Sequence, residues 1–369
     1  MATVKRGKKK KHFFDVRDDL EKYPDAVIYI EIGGRNGGKT YSSMCYCLDE
    51  LEPPEQKFAF VKRTNEDVKL LCTGGKDEKL KLNISPFKQI NHDRNKDIKA
   101  IEIYKGIGGF WDCTDKEQAE GEPIGYILSL HLGSKAKGFE LQDSELLIWD
   151  EFIPMIGEKV DRAEGEQILT LYKTISRARM HLGRPPLKLI MLANATRIRN
   201  PTFRTLELTD AVAEMKLQKR EYLYLEERRI LIHNIQYSEE FNEIERNDPI
   251  NIAMSGTAWA RSSIDNEFAY DDFSSVKKLS IKKMRPFVSI IYQRKQYYCY
   301  GDDERFYFTD VKCNTNNIET YNLDRENDQK LFFVNYCIDL REACVRNCMS
   351  FRTYTLYDLI VNYRKYFEL

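Results

Sequence analysis

Between Asp25 and Thr40 the chain reads DAVIYIEIGGRNGGKT, in which Gly33, Gly38, Lys39 and Thr40 satisfy the spacing G-x-x-x-x-G-K-[ST]. Residues of these types at this spacing suit one task, holding a polyphosphate. Gly33, Gly37 and Gly38 let the backbone curl round phosphate oxygens and aim bare N–H groups at them, with Gly34, Arg35 and Asn36 completing the loop. Lys39 places a cation on the β- and γ-phosphates of ATP, and the Thr40 hydroxyl is a ligand for Mg²⁺. A second group of reactive residues follows Leu146 to Trp149 (LLIW), where the chain continues Asp150-Glu151. An Asp closing a buried strand can hold Mg²⁺, often through water, and a Glu after it can orient and deprotonate an attacking water.

These side chains need elements to present them. The partly β-branched run Ala26, Val27, Ile28, Ile30, Ile32 predicts a buried parallel strand, and Tyr41 to Leu51 predicts a helix whose N-terminal dipole favours the anion. Phe13 to Tyr23 reads as a short helix before them, and Lys57 to Val61 as a second strand ending at Lys62-Arg63. Ile98 to Tyr104, the glycine stretch Gly106 to Gly109 and Ile124 to Leu132 predict antiparallel strands in or beside the sheet. Leu146 to Trp149 is a further strand. Gln167 to Arg179 is a helix with Ile168, Leu171, Tyr172 and Ile175 on one face, and Leu187 to Ala193 is a strand closing at Asn194. Strands alternating with helices, with the glycine loop after the first, give an α/β doubly wound parallel sheet. Asn194 is then placed either to touch the γ-phosphate or lytic water, or to cap a turn. Arg177 and Arg179, at the end of their helix, are candidates for a guanidinium reaching into a neighbouring subunit's site, or for surface ion pairs; Arg197 and Arg199 are weaker candidates. Lys135 and Lys137 in GSKAKG can touch DNA phosphates or a neighbour's nucleotide, or form a plain solvated loop.

A length of 369 residues suggests two domains with a connector. Equal numbers of basic and acidic side chains, 58 each, mean that any nucleic-acid surface is local. No apolar run approaches bilayer length, and the basic start has no apolar core behind it, which argues against a secretory signal. Nine scattered cysteines suit free thiols in a reducing cytoplasm; Cys337, Cys344 and Cys348 lack the further ligands of a zinc site. Residues 1–12 form a basic tail, either a solvated tail or a phosphate-seeking arm. The boundaries expected are 13–205 for the nucleotide-binding domain, 206–275 for a small linker domain with a helix over Leu208 to Glu227, and 276–369 for a compact α/β domain. In the last, FVSIIY, YYCYG and RFYFTD form a meander, with helical segments over Asp328–Met349 and Thr353–Phe367.

With these residues laid out, the chain resembles the DNA-packaging ATPases of tailed phages, most closely those of the φ29 type. The resemblance is carried by GGRNGGKT, where Arg35 is similar to the displaced basic residue of terminase-like loops, by SKAKGFELQDSELLIWDEFI, and by ISRARMHLGRPPLKLIMLANATRIRNP. It implies a P-loop NTPase fold of the ASCE, RecA/terminase-like class, followed by the linker and a vestigial RNase H-like nuclease domain. By the same match Glu151 is the catalytic glutamate, Arg177 the arginine finger, Arg179 its basic neighbour and Asn194 the sensor. A nuclease of that fold needs clustered carboxylates on two metals. The opening strand Phe287-Val288-Ser289-Ile290-Ile291-Tyr292 has no acid, and Asp302, Asp303 and Asp310 fall in or after turns. The aromatic and basic residues Arg294, Lys295, Tyr297 and Tyr298 are then expected either to contact DNA, RNA or portal, or to be an ordinary hairpin surface.

The expected activity is ATP hydrolysis that drives double-stranded DNA into a procapsid. Lys39, Thr40 and the loop glycines hold MgATP, Asp150 positions Mg²⁺, Glu151 activates water and Arg177 acts from an adjacent subunit. The resemblance further implies a homomeric ring, a pentamer, docked on the portal of the procapsid in the host cytoplasm, with a structural packaging RNA as a further partner. No membrane is involved, and the mature virion is not expected to keep the protein. The alternatives are a nuclease-competent large terminase, a P-loop small-molecule phosphotransferase, and a structural protein that binds nucleotide without hydrolysing it.

Overall fold

The apolar run after Asp25 forms strand β1 (Ile28–Ile32), buried from Tyr29 onward, and the glycine loop delivers it into helix α2 (Lys39–Glu50). Ahead of it lies α1 (Val16–Lys22), capped by the Asp15 carboxylate, which accepts from the Arg17 N–H. The computed structural model describes residues 12–72, 84–116, 118–132, 141–302, 304–314 and 317–369. The basic tail up to residue 11, Lys135 and Lys137, and Asp303 lie outside the described residues.

The chain separates into two compact units, one of residues 1–206 and 215–270, the other of residues 207–214 and 271–369. The first is built on a nine-stranded sheet. Its remaining strands are β2 (Lys57–Lys62), β3 (Ile98–Tyr104), β4 (Ile107–Asp112), β5 (Gly125–Ser129), β6 (Ser144–Asp150), β7 (Lys188–Ala193), β8 (Tyr222–Leu225) and β9 (Ile230–Asn234). The spatial order is β3-β4-β5-β2-β6-β7-β1-β9-β8. From β5 to β9 every neighbouring pair is parallel. The edges are antiparallel, with β3 and β4 folding back beside β5 and β8 beside β9. Continuous apolar strands such as FAFV in β2 and LLIW in β6 belong in the parallel centre, where helices cover both faces.

Register decides what happens at the strands' C-terminal ends. Ile32 pairs with Ala193, Asp150 with Leu192, and Val61 with Trp149, so Gly33, Asn194, Asp150 and Lys62 emerge along one rim. Strand β7 stands between the glycine-loop strand β1 and the Asp150 strand β6. Ligands of open parallel sheets sit at that rim, where strand order reverses.

Several expected boundaries change. The helix expected over Gln167 to Arg179 spans Glu164–Ile175, after which the chain turns sharply, with Ala178 at φ +60°. Leu208 to Glu227 is not one helix: it is helical over Thr209–Leu217 and then extended as β8. The segment 206–275 is not a compact linker domain. Strand β9 buries all five positions of ILIHN against β1, in the register Ile28 to Ile230, and so belongs to the first sheet.

The second unit carries a five-stranded sheet. Its strands are β10 (Arg285–Tyr292), β11 (Lys295–Gly301), β12 (Phe306–Thr309), β13 (Glu319–Asn322) and β14 (Met349–Phe351), in the order β13-β10-β11-β12-β14. Strands β10 to β12 form the antiparallel meander; β13 lies parallel to β10 and β14 parallel to β12. Gln293 and Arg294, both at positive φ, make the two-residue hairpin between β10 and β11. Tyr297 packs into the apolar core of this unit with Val288, Phe308 and Phe351, and Tyr298 is buried too. Neither ring is therefore available as the contact surface considered for them. Asp302 accepts the Glu304 and Arg305 N–H groups in a turn, and Asp310 stands 3.8 Å from Arg352.

Candidate active site

The glycine loop is folded against the rest of its unit rather than standing free. The Gly33 N–H donates to Ala193 O at 3.1 Å, the Arg35 N–H to Ser263 O at 2.9 Å, and the Phe14 N–H to Gly37 O at 3.0 Å. Two positions demand glycine for different reasons. Gly38, at φ +83°, is the N-cap of α2 in the left-handed region. A Cβ on Gly37 would lie 1.8 Å from the Tyr237 hydroxyl oxygen, because that ring presses on the loop.

The Lys39 ammonium donates to Gly33 O at 3.1 Å, Gly34 O at 2.7 Å and Asn194 Oδ1 at 3.2 Å. Burial lowers its pKa to about 8, against the opposing pull of Asp150. The Thr40 hydroxyl donates to Asp150 Oδ1 at 3.0 Å, which joins the end of the loop to the end of β6. Asp150 Oδ2 in turn lies 3.1 Å from Lys62 Nζ, and Glu151 Oε2 lies 3.0 Å from the same nitrogen. Burial works against the charge on Lys62, but the two carboxylates outweigh it and hold its pKa above the ordinary value. Glu151 projects from a left-handed backbone at φ +57°, and its carboxylate is largely exposed. Asn194 stands in a turn, its carbonyl oxygen accepting the Thr196 N–H, and its side-chain oxygen faces Lys39.

Arg63 lines the site and is a residue that sequence reasoning passed over. Its guanidinium donates to Glu151 O, Phe152 O, Glu158 Oε1 and Glu164 Oε1 at distances from 2.7 to 3.1 Å, and it is almost fully buried. It therefore fixes the strained turn that carries Glu151. The only signal for it was the pair Lys62-Arg63 at the end of an apolar strand. Tyr237 and Ser263, which shape the loop, left no signal, because their partners are remote in the chain.

Arg177 and Arg179 have opposite surroundings. Arg177 is exposed at the turn after the helix Glu164–Ile175. Arg179 is 1% exposed and donates to Pro185 O, Gln142 O and Ser144 O, with an ion pair to Glu145. Arg197 and Arg199 are half-buried. A cleft of about 160 Å³ opens over the rim, lined by Arg35, Lys62, Arg63, Asp150, Glu151 and Asn194. The set joins a glycine-rich loop, a hydroxyl and a carboxylate that offer hard oxygens, and a further, exposed carboxylate. It suits hydrolysis of a metal-bound nucleoside triphosphate.

Comparison with known proteins points to one family. The family model described as Podovirus DNA encapsidation protein (Gp16) matches residues 118–353, a stretch that includes Asp150, Glu151, Arg177 and Asn194. A DNA packaging protein of Bacillus phage B103 is 24% identical over 320 residues, which is 85% of this chain and 87% of that protein. Among solved structures, the bacteriophage Phi-29 viral genome packaging motor assembly matches with a TM-score of 0.63 at 16% identity, covering 96% of this chain and 99% of that one. The Phi-28 gp11 DNA packaging motor matches with a TM-score of 0.59 at 19% identity, over 93% and 95% of the two chains. At such identities the structural likeness speaks for the fold.

Proposed function

The chain belongs to the podovirus DNA encapsidation protein (Gp16) family, and from that premise we propose that it is an ATP-driven motor that moves viral double-stranded DNA into a procapsid. The observation that carries this reading is the meeting of Thr40 with Asp150 at 3.0 Å, beside Glu151 and with Lys39 on Asn194. Asp150 and Glu151 stand at the end of β6, Asn194 follows β7, and Lys39 and Thr40 open the helix after the loop that follows β1.

Loop N–H groups and Lys39 bind the β- and γ-phosphates, and Lys39 exchanges its hold on Gly33 O and Gly34 O for phosphate oxygens. The Thr40 hydroxyl and Asp150 carboxylate are hard oxygen donors on one side of the site, which fits magnesium. Magnesium supplies neutralisation of charge on the β- and γ-oxygens. Glu151 orients the attacking water and takes its proton. For that, its carboxylate parts from Lys62 Nζ, 3.0 Å away, and turns to the water. Asn194 reports the γ-phosphate to β7. Arg177, unlike Arg179, is free of the core and is the arginine suited to reach a neighbouring subunit, which implies a closed homomeric ring. We further infer that this ring is a pentamer seated on the portal, with DNA, and a packaging RNA where one is used, contacted by local basic segments.

Mixed rings test the reading. Arg177→Ala and Glu151→Gln subunits should each fail to hydrolyse ATP in the presence of DNA and procapsid. Mixing them in equal amounts should recover roughly a quarter of wild-type turnover, the fraction of sites with both residues intact under random assembly. No recovery at any ratio, from subunits that each fold and assemble normally, would remove the shared site.

A further inference from the structure

Away from the nucleotide cleft, three ionisable side chains meet inside the first unit: Asp19 on α1, Glu31 on β1 and His233 on β9. Asp19 and Glu31 are 0% exposed and His233 is 6% exposed. Glu31 and His233 are register partners on the adjacent parallel strands, so the sheet itself places them side by side. His233 Nδ1 lies 2.6 Å from Asp19 Oδ2 and 3.2 Å from Glu31 Oε2, and one donor atom from each residue falls within 4.8 Å of the others. It is the one group of its kind among the described residues.

We propose that these three side chains form a binding site for a divalent first-row cation of the zinc type, which fastens α1 and β9 to the strand that leads into the phosphate loop. Three observations carry it. Two carboxylates share one imidazole in the interior, and buried charge persists only when paired or bound to metal. Glu31 Oε1 and Asp19 Oδ1 are buried with no hydrogen-bond donor, so unused ligand capacity points inward. The donor set, one imidazole nitrogen and carboxylate oxygens, is one that zinc takes. Ligands about 2.0–2.1 Å from a tetrahedral ion stand about 3.3 Å apart. The Glu31 to His233 distance already matches, and the Asp19 contact needs to open by less than about 1 Å.

The surroundings fit a ligating histidine. Nε2 faces the Glu221 carboxylate at 3.9 Å, the position of a partner that orients a metal-bound imidazole. Tyr222 stacks on the ring at 4.2 Å, and Lys22 lies over that tyrosine. On binding, the cation displaces the proton held between Nδ1 and the carboxylates, and the proton leaves to solvent. Burial, and after it the charge of Asp19, push the Glu31 carboxyl above the usual range, so a site filled by protons alone is the competing state.

Equilibrium dialysis of the reduced full-length chain against Zn²⁺, followed by elemental analysis, separates the two states. Wild type should retain about one zinc per chain and gain thermal stability from it, and Glu31→Gln and His233→Ala should each lose that zinc. Cobalt substitution of wild type supplies a readout that needs no variant: weak visible bands without thiolate charge transfer are expected. No retained cation, uptake unchanged in His233→Ala, or cobalt bands showing cysteine ligation would each overturn the proposal.

Discussion

Arg177 and Arg179 differ in sequence position by two and in environment completely, so their replacement should give opposite results. Arg179→Ala strips a buried charge partner from Glu145 and three backbone carbonyls, and should lower unfolding free energy by about 3–5 kcal/mol in urea titrations. Arg177→Ala should change stability by no more than about 0.5 kcal/mol, yet lower hydrolysis by assembled rings by about 10³-fold or more. Arg63 combines both kinds of effect. Arg63→Met leaves Glu164 buried without its partner and should cost about 3–5 kcal/mol. Because it also releases the turn holding Glu151, turnover should fall while nucleotide affinity changes little. Equal losses of binding and turnover would show that Arg63 only supports the fold.

At the scale of elements, the phosphate loop is shaped by a ring that arrives from beyond β9. Gly37 has no need of a left-handed backbone; what excludes a side chain there is Tyr237. Gly37→Ala should therefore weaken ATP binding, and Tyr237→Leu in the same chain should restore part of it. The double-mutant cycle should depart from additivity by about 1–3 kcal/mol in the direction of rescue. Additive losses would mean that Gly37 is needed for contact with phosphate rather than to make room for Tyr237.

On the scale of the whole first unit, the C-terminal stretch before residue 271 is tied to the sheet through polar groups. The Asn266 side-chain amide donates to Ile32 O, Asn234 Oδ1 and Ile235 O, and the Lys216 ammonium donates to Asn234 Oδ1 at 2.6 Å and to Asn266 O. Burial lowers the Lys216 pKa to about 8 from 10.5, with Glu267 pulling the other way. Between those two pH values the unfolded chain holds more protons at this residue than the folded one. Stability supplied by this site therefore rises with pH across that window, and the full cost of charging it is present below about pH 8. Urea titrations at pH 7.5 and pH 10 should show wild type gaining on Lys216→Met by about 1–3 kcal/mol. A constant difference would show that Lys216 keeps its ordinary proton affinity.

Gly33 to Thr40, Asp150-Glu151 and the strands that end at them were legible in the sequence, because local chemistry fixes both: phosphate needs bare N–H groups, and a central parallel strand needs an unbroken apolar run. Asn194 was legible as a strand end, but that its side chain faces Lys39 was not, because that needs β7 placed beside β1. Helix ends, the edge strand β8 and its neighbour β9 were not legible. YLYL and ILIHN carry tyrosine, histidine and asparagine, whose burial is tolerable only once Asp19, Glu31, Lys216 and Asn266 are brought to them. Tertiary structure alone decided that Arg179 is part of the core and Arg177 is not, that Arg63 holds Glu151, and that Tyr237 shapes the loop. Each depends on a partner remote in the chain, and no spacing of residue types records which remote groups a fold brings within hydrogen-bonding distance.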